Sequence, residues 1–102
     1  MHLVQFLLPL RDNDGRPFPS AEFDRVNREL TDRFGGVTAY LRSPARGAWR
    51  EDGGDVTHDD VTIIEVMDDD LDRAWWQSYR HELEARFRQD EIIVRATQTE
   101  RL

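Results

Sequence analysis

The chain predicts an α+β domain, an antiparallel sheet carrying helices on one side. Three observations lead there. Apolar residues alternate with period two in some blocks, recur at spacings of three and four in others, and the blocks are separated by clusters of glycine, proline and aspartate. Read in order, the blocks run strand, helix, strand, strand, helix, strand.

The first strand is "HLVQFLLPL". Val4, Phe6 and Leu8 fall on one face, Leu3, Gln5 and Leu7 on the other. Two mostly apolar faces mark a strand covered on both sides. "RDNDGRPFP" follows and is dense in turn formers. Its "DNDG" resembles the start of a calcium loop, but the later glycine and bidentate glutamate are missing, so a turn is the better reading.

Ser20 is placed at a helix N-cap, with Glu22 and Asp24 in the first turn. Phe23, Val26, Leu30 and Phe34 share one helical face. Gly35-Gly36 then supplies a left-handed stop. "VTAYLR" is the second strand, with Val37, Ala39 and Leu41 opposite Thr38, Tyr40 and Arg42. Ser43-Pro44 interrupts it, because proline has no N–H for a ladder. "GAWRE", a turn at Asp52-Gly53-Gly54-Asp55, and "VTHDDVTIIEVM" form a long irregular hairpin.

The second helix lies in "DDDLDRAWWQSYRHELEARFRQDE". Asp68, Asp69, Asp70 and Asp72 crowd its start and Arg86 and Arg88 its end, which complements the helix dipole. Leu71, Trp75, Tyr79, Leu83 and Phe87 form its stripe, widened by Trp76. The two tryptophans diverge by about 100°, so one packs on the sheet and the other on a loop or a partner chain. "EIIVRATQT" is the last strand, with Ile92, Val94 and Ala96 opposite Ile93, Arg95 and Thr97.

The order β-α-β-β-α-β is the split βαβ, or ferredoxin-like, unit. Right-handed crossovers put both helices on one face of a four-stranded antiparallel sheet, with the last strand beside the first, then the third, then the second. The expectation is a single ferredoxin-like α+β sandwich spanning residues 1–102.

The run "RFGGVTAY … GAWRE-DGG … V … EVM … YRHELEARFRQDEIIVRA" resembles a small uncharacterised bacterial family within the dimeric α+β barrel superfamily. That resemblance covers most of the chain after Phe23. The superfamily's members include monooxygenases, muconolactone-type isomerases, dechlorinating and stress proteins, and binding modules. The resemblance thus implies a fold and constrains function weakly. No catalytic signature is carried over, so the catalytic residues stay unknown and whether the protein is an enzyme stays open.

Composition narrows the partners. The net charge of -7 disfavours nucleic acid and anionic membranes, which need a basic face. Without cysteine, disulfides, thiolate catalysis and cysteine metal sites are ruled out, and a cytoplasmic location fits. No apolar run approaches the roughly 20 residues of a membrane span. The start "MHLVQFLLPLRDNDG" lacks a positive n-region and a small-residue cleavage site, and reads as a strand. No cofactor fingerprint, phosphate loop or Ser-His-Asp arrangement is present.

One sheet face, with Val4, Phe6, Leu8, Val37, Ala39, Leu41, Ile64, Val66, Ile92 and Val94, belongs under the helices. The other mixes Leu3, Leu7, Val61, Ile63, Met67 and Ile93 with polar groups. Such a patch demands cover, and the simplest cover is a second copy of the same sheet, giving a homodimer. Its polar members, Gln5, Tyr40, Arg42, Glu65 and Arg95, are the candidate ligand-binding residues, with Arg42 expected near Glu65 across the strand pair. Trp49 and His58 are expected to face each other across the hairpin and to form a lid over a neighbouring cavity.

His58-Asp59-Asp60 invites a metal reading, yet neighbours in a strand point to opposite faces, so no metal is assigned. None of His2, His58 and His81 has a visible carboxylate partner at fixed spacing, and His81 belongs near the solvated helix face. Two functions remain open. The sheet residues orient a small anionic or aromatic molecule for binding or for cofactor-independent oxidation or isomerisation, or they only fix the register of a non-enzymatic interaction module.

Overall fold

The first strand behaves as its alternation dictates. In β1 (His2–Pro9), Val4, Phe6 and Leu8 are at most 1% exposed, while Leu3, Gln5 and Leu7 are half-buried on the opposite face. The remaining elements are α1 (Ser20–Phe34), β2 (Thr38–Tyr40), β3 (Arg46–Arg50), β4 (Val56–Asp68), α2 (Arg73–Arg86) and β5 (Val94–Gln98). The computed structural model describes residues 1–36, 38–40, 46–50 and 56–102, with backbone alone for 38–40, 46–50 and 56–60.

The molecule is α+β, with two helices and an antiparallel sheet. β1 pairs with β4 from His2↔Asp68 to Pro9↔Val61, and on its other edge with β5 from His2↔Gln98 to Phe6↔Val94. β2 pairs with β4, so the order along the sheet is β2-β4-β1-β5. β3 pairs with the first residues of β4, beyond the end of β1. The chain thus places its last strand beside its first, as read from the sequence.

Two details differ. The hairpin arm "GAWRE" gives a strand of its own, so among the described residues the sheet has five strands instead of four. Also, β2 and β3 do not share one register on β4. Continuing the β2 pairing would set Arg46 opposite Thr57, whereas Arg46 pairs with Asp60. The offset falls between the two strands, where Ser43-Pro44 breaks the ladder-forming pattern. The expected turn at Asp52-Gly53-Gly54-Asp55 and the expected core residues Val37 and Leu41 lie outside the described residues.

Both helices pack on the face that carries Val4, Phe6 and Leu8. Phe23, Val26 and Leu30 of α1 join Trp76, Tyr79 and Leu83 of α2, with Phe87, Ile64, Val66 and Ile92, in one buried cluster. Removing this apolar surface from water, at roughly 25 cal/mol per Å², is the main stabilising contribution. Along the last strand the burial fades: Ile92 is buried, Val94 half-buried and Ala96 exposed. β5 is an edge strand, and α2 does not cover its far end.

The helix ends correct two expectations. α1 has Pro19 at its N-cap and no side-chain cap; Ser20 is already helical. Proline tolerates that position because a helix start leaves its N–H groups without carbonyl partners anyway. At the other end Gly35 has φ 80°, and its N–H bonds Thr31 O at 2.8 Å. For α2 the cap is Asp72, whose Oδ1 accepts the Trp75 N–H at 3.1 Å. The earlier aspartates are not in the helix: Asp68 ends β4, and Asp69 and Asp70 form the bend that follows.

"DNDG" is a turn. Asp12 Oδ1 accepts the N–H groups of Asp14 at 2.9 Å and Arg16 at 2.8 Å, and Gly15 sits at φ 81°. The Arg16 N–H is the chief cause holding the Asp12 carboxyl below its ordinary range. Of the tryptophans, Trp76 enters the core and Trp75 is half-buried, stacked on Tyr79 with the Arg33 guanidinium 4.2 Å from its ring centre. Among the described residues no helix is long and apolar enough to cross a membrane.

Candidate functional site

The sheet face away from the helices carries a polar row. Gln5 lies opposite Glu65 on one side and Arg95 on the other, because β1 sits between β4 and β5. Paired residues project to the same face, so all three side chains meet. Gln5 Nε2 donates to Glu65 Oε2 at 2.7 Å, and Arg95 Nε donates to Gln5 Oε1 at 3.3 Å. The amide is thereby oriented by charge at both ends: its donor faces the carboxylate and its acceptor the guanidinium. The second Glu65 oxygen and the terminal Arg95 nitrogens lie beyond these two bonds.

Apolar groups surround the row. Leu3, Leu7 and Ile63 are half-buried, Met67 is 45% exposed and Ile93 55%. Water is therefore partly excluded around a row that keeps hydrogen-bonding capacity at each end. Chemically, such a row binds a carboxylate or phenolate at its basic end, or a donor group at its acidic end.

The other expected site residues fare differently. Tyr40 takes the position opposite Ile63, one pair removed in the β2 ladder from Ala39↔Ile64. Arg42 lies outside the described residues, and the position opposite Glu65 belongs to Thr38, not Arg42. Trp49 pairs with Thr57 and His58 with Ala48, so the two are one step out of the expected facing register. His58 also lies seven residues along β4 from Glu65, roughly 23 Å at about 3.3 Å per residue. Within one copy, Trp49 and His58 are not near the Gln5 row; any lid they form belongs elsewhere.

A second concavity escaped the sequence reading. Between α2 and β5, on the helical side of the sheet, lies an open cleft of about 230 Å³. Arg73, Gln77 and Arg80 line it with Trp76, above a floor that includes Val4 and Val94. The signal was present: Arg73, Gln77 and Arg80 follow spacings of four and three along α2, one helical stripe. The apolar stripe on the same helix is the stronger periodic signal and overlaps it in sequence. Trp76 is fixed there by its indole N–H, which donates to the buried Asp68 carboxylate at 3.1 Å.

A third polar cluster joins the helices. Arg86 donates to both Glu29 oxygens, at 2.5 and 2.7 Å, and also to Glu82, while Tyr79 donates to Glu29 at 3.2 Å. The Arg86 bonds hold the Glu29 carboxyl below its ordinary range, and burial pushes the Tyr79 phenol well above its own. Its geometry is that of a clamp between α1 and α2. His81 is solvated, as expected, but the expectation that it lacks a carboxylate partner is corrected: Glu84, one helical turn on, brings Oε1 to 3.3 Å from its Nδ1.

No protein-family model and no curated protein sequence matches the chain. Among solved structures it is similar to a phage SAM lyase in complex with S-methyl-5'-thioadenosine, with a TM-score of 0.62 and 18% identity over 95% of this chain and 80% of that one. A phage SAM lyase in the apo state gives 0.59 and 15% identity over 94% and 78%. At these identities the likeness concerns the fold: a small α+β architecture is shared.

Proposed function

We propose that the protein is a ferredoxin-like homodimer of the dimeric α+β barrel type that binds, or converts, a small anionic or aromatic molecule at its open sheet face. The observation that carries this reading is the Glu65–Gln5–Arg95 row, set among partly exposed apolar side chains.

A patch of this kind on a monomer is usually covered or functional. A two-fold axis lying between two such sheets and parallel to β1 reverses the row. It sets Glu65 of one copy over Arg95 of the other, so the charges that remain after the Gln5 bonds find opposite charges across the interface. Space left between the two rows is walled by leucine, isoleucine and methionine, with charge at its ends. That suits a flat apolar body bearing one charged group. The fold neighbour supports a small-molecule role, because one of its structures contains S-methyl-5'-thioadenosine, an aromatic base on a polar sugar.

Native mass spectrometry of protein purified from its own host tests the proposal. The expected result is a dimer that retains a small molecule. Arg95→Met and Glu65→Leu should each weaken retention about tenfold or more, the cost of losing one charged hydrogen bond, while leaving the dimer intact. Retention unchanged in both variants would remove the row from the site. An empty wild-type dimer that both variants dissociate would favour the alternative, a row that only fixes dimer register in an interaction module.

A further inference from the structure

We propose that the cleft between α2 and β5 is a separate binding site for a small organic acid, a carboxylate on a compact apolar body. It lies on the helical side of the sheet, does not depend on the open-face reading, and rests on the charge, the unused donors and the floor of the cleft.

The chain has 21 acidic and 14 basic residues, yet the charged side chains that α2 contributes to this cleft are Arg73 and Arg80, and no carboxylate lines it. Like charges gathered in a concavity repel one another, and an anion between them removes that cost. Neither Arg73 nor Arg80 has a carboxylate partner among the described residues. Arg80 Nε is withdrawn from solvent without a hydrogen-bond acceptor. A buried donor left unsatisfied is costly, and a bound oxyanion is the acceptor that would satisfy it.

The planar guanidinium fork matches a carboxylate through two parallel hydrogen bonds. Trp76, Val4 and Val94 supply an apolar floor, which a bare inorganic ion would not use. Because Trp76 is tied to Asp68, that floor is rigid before a ligand arrives. The volume of about 230 Å³ is below the roughly 300–1,000 Å³ of sites for drug-sized ligands, so the acid is small.

The test is a titration of the full-length chain with benzoate and, separately, with inorganic phosphate, followed by ¹H–¹⁵N NMR. Benzoate should shift the Arg80 Nε–H and Trp76 indole N–H signals saturably, more tightly than phosphate, and more weakly as salt rises. Arg80→Met and the solvent-exposed Arg73→Met should each weaken benzoate binding about tenfold. Because binding is read at the Arg80 and Trp76 signals, benzoate held at the open face does not register, and Asp24→Ala, an exposed change on α1 outside both sites, should shift these signals as the wild type does. No saturable shift at Arg80, undiminished binding in both arginine variants, or phosphate binding with benzoate excluded would each overturn the proposal.

Discussion

Arg86 has a side chain only 9% exposed and sits between two carboxylates, one on each helix. Its fork grips both oxygens of Glu29, whose side chain is 34% exposed, and that pairing lowers the Glu29 pKa. A carboxyl with a lowered folded pKa contributes stability that is present above its unfolded value, near 4.3, and is lost as pH falls through the lower folded value. Glu29→Gln should therefore cost about 1 kcal/mol at neutral pH, screened because the pair is partly solvated. It should also shrink the loss of stability below about pH 4.3. Urea melts of both proteins from pH 7 to pH 2 check this; parallel pH profiles would show that the clamp does not couple to folding. The partners lie 57 residues apart, so no local spacing announces them. Arg86 was legible only as a cation at a helix C-terminus. The Gln5–Glu65–Arg95 row was legible because strand alternation and strand order alone bring it together, without knowledge of any side-chain geometry. The position opposite Glu65 falls to Thr38 instead of the expected Arg42 because that expectation carried a single register across Ser43-Pro44, whereas β2 and β3 keep different registers on β4.

α2 shows how an element combines signals that sequence reading tends to separate. Its acidic approach, Asp68, Asp69, Asp70 and Asp72, looks like one helix-start cluster. The four have different tasks. Asp68 is buried and holds the Trp76 indole, Asp69 and Asp70 are exposed, and Asp72 caps the helix while lying 3.7 Å from Arg33. Asp72→Ala should lower stability by about 1 kcal/mol, the usual cost of an N-cap. Asp69→Ala should stay within about 0.5 kcal/mol, as surface changes do. Thermal melts of the two variants decide it, and equal losses would mean that the cluster acts through diffuse charge at the dipole. The helix's existence and core face followed from its period, with Trp76, Tyr79 and Leu83 buried. Which tryptophan entered the core did not follow, because one position of drift on a helix is settled by the packing of Phe34 and Phe6 against the ring.

At the scale of the molecule, the two sheet faces are unequal in a way that predicts assembly. On β1 and β4 the helical face buries Val4, Phe6, Leu8, Ile64 and Val66 to at most 1% exposure, whereas the open face leaves Met67 45% and Ile93 55% exposed beside half-buried Leu3, Leu7 and Ile63. A chain with a net charge of -7 resists non-specific association, so a contact that forms must gain more from apolar burial and local charge pairing than it loses to repulsion. Salt screens the general repulsion and also the Glu65-to-Arg95 attraction, but the desolvated interior of an interface is screened less. The expected outcome is a dimer at micromolar concentration by sedimentation velocity, persisting as salt is raised. Met67→Asp adds a charge on the face through which the dimer is proposed to form. It should weaken the dimer at least tenfold, while the folded monomer changes by no more than about 0.5 kcal/mol, because the site is solvated in a single chain. A wild-type protein that sediments as a monomer would remove the face-to-face assembly, and with it the enclosed space on which the open-face site depends. It would leave the α2–β5 cleft untouched, since that cleft is complete within one copy.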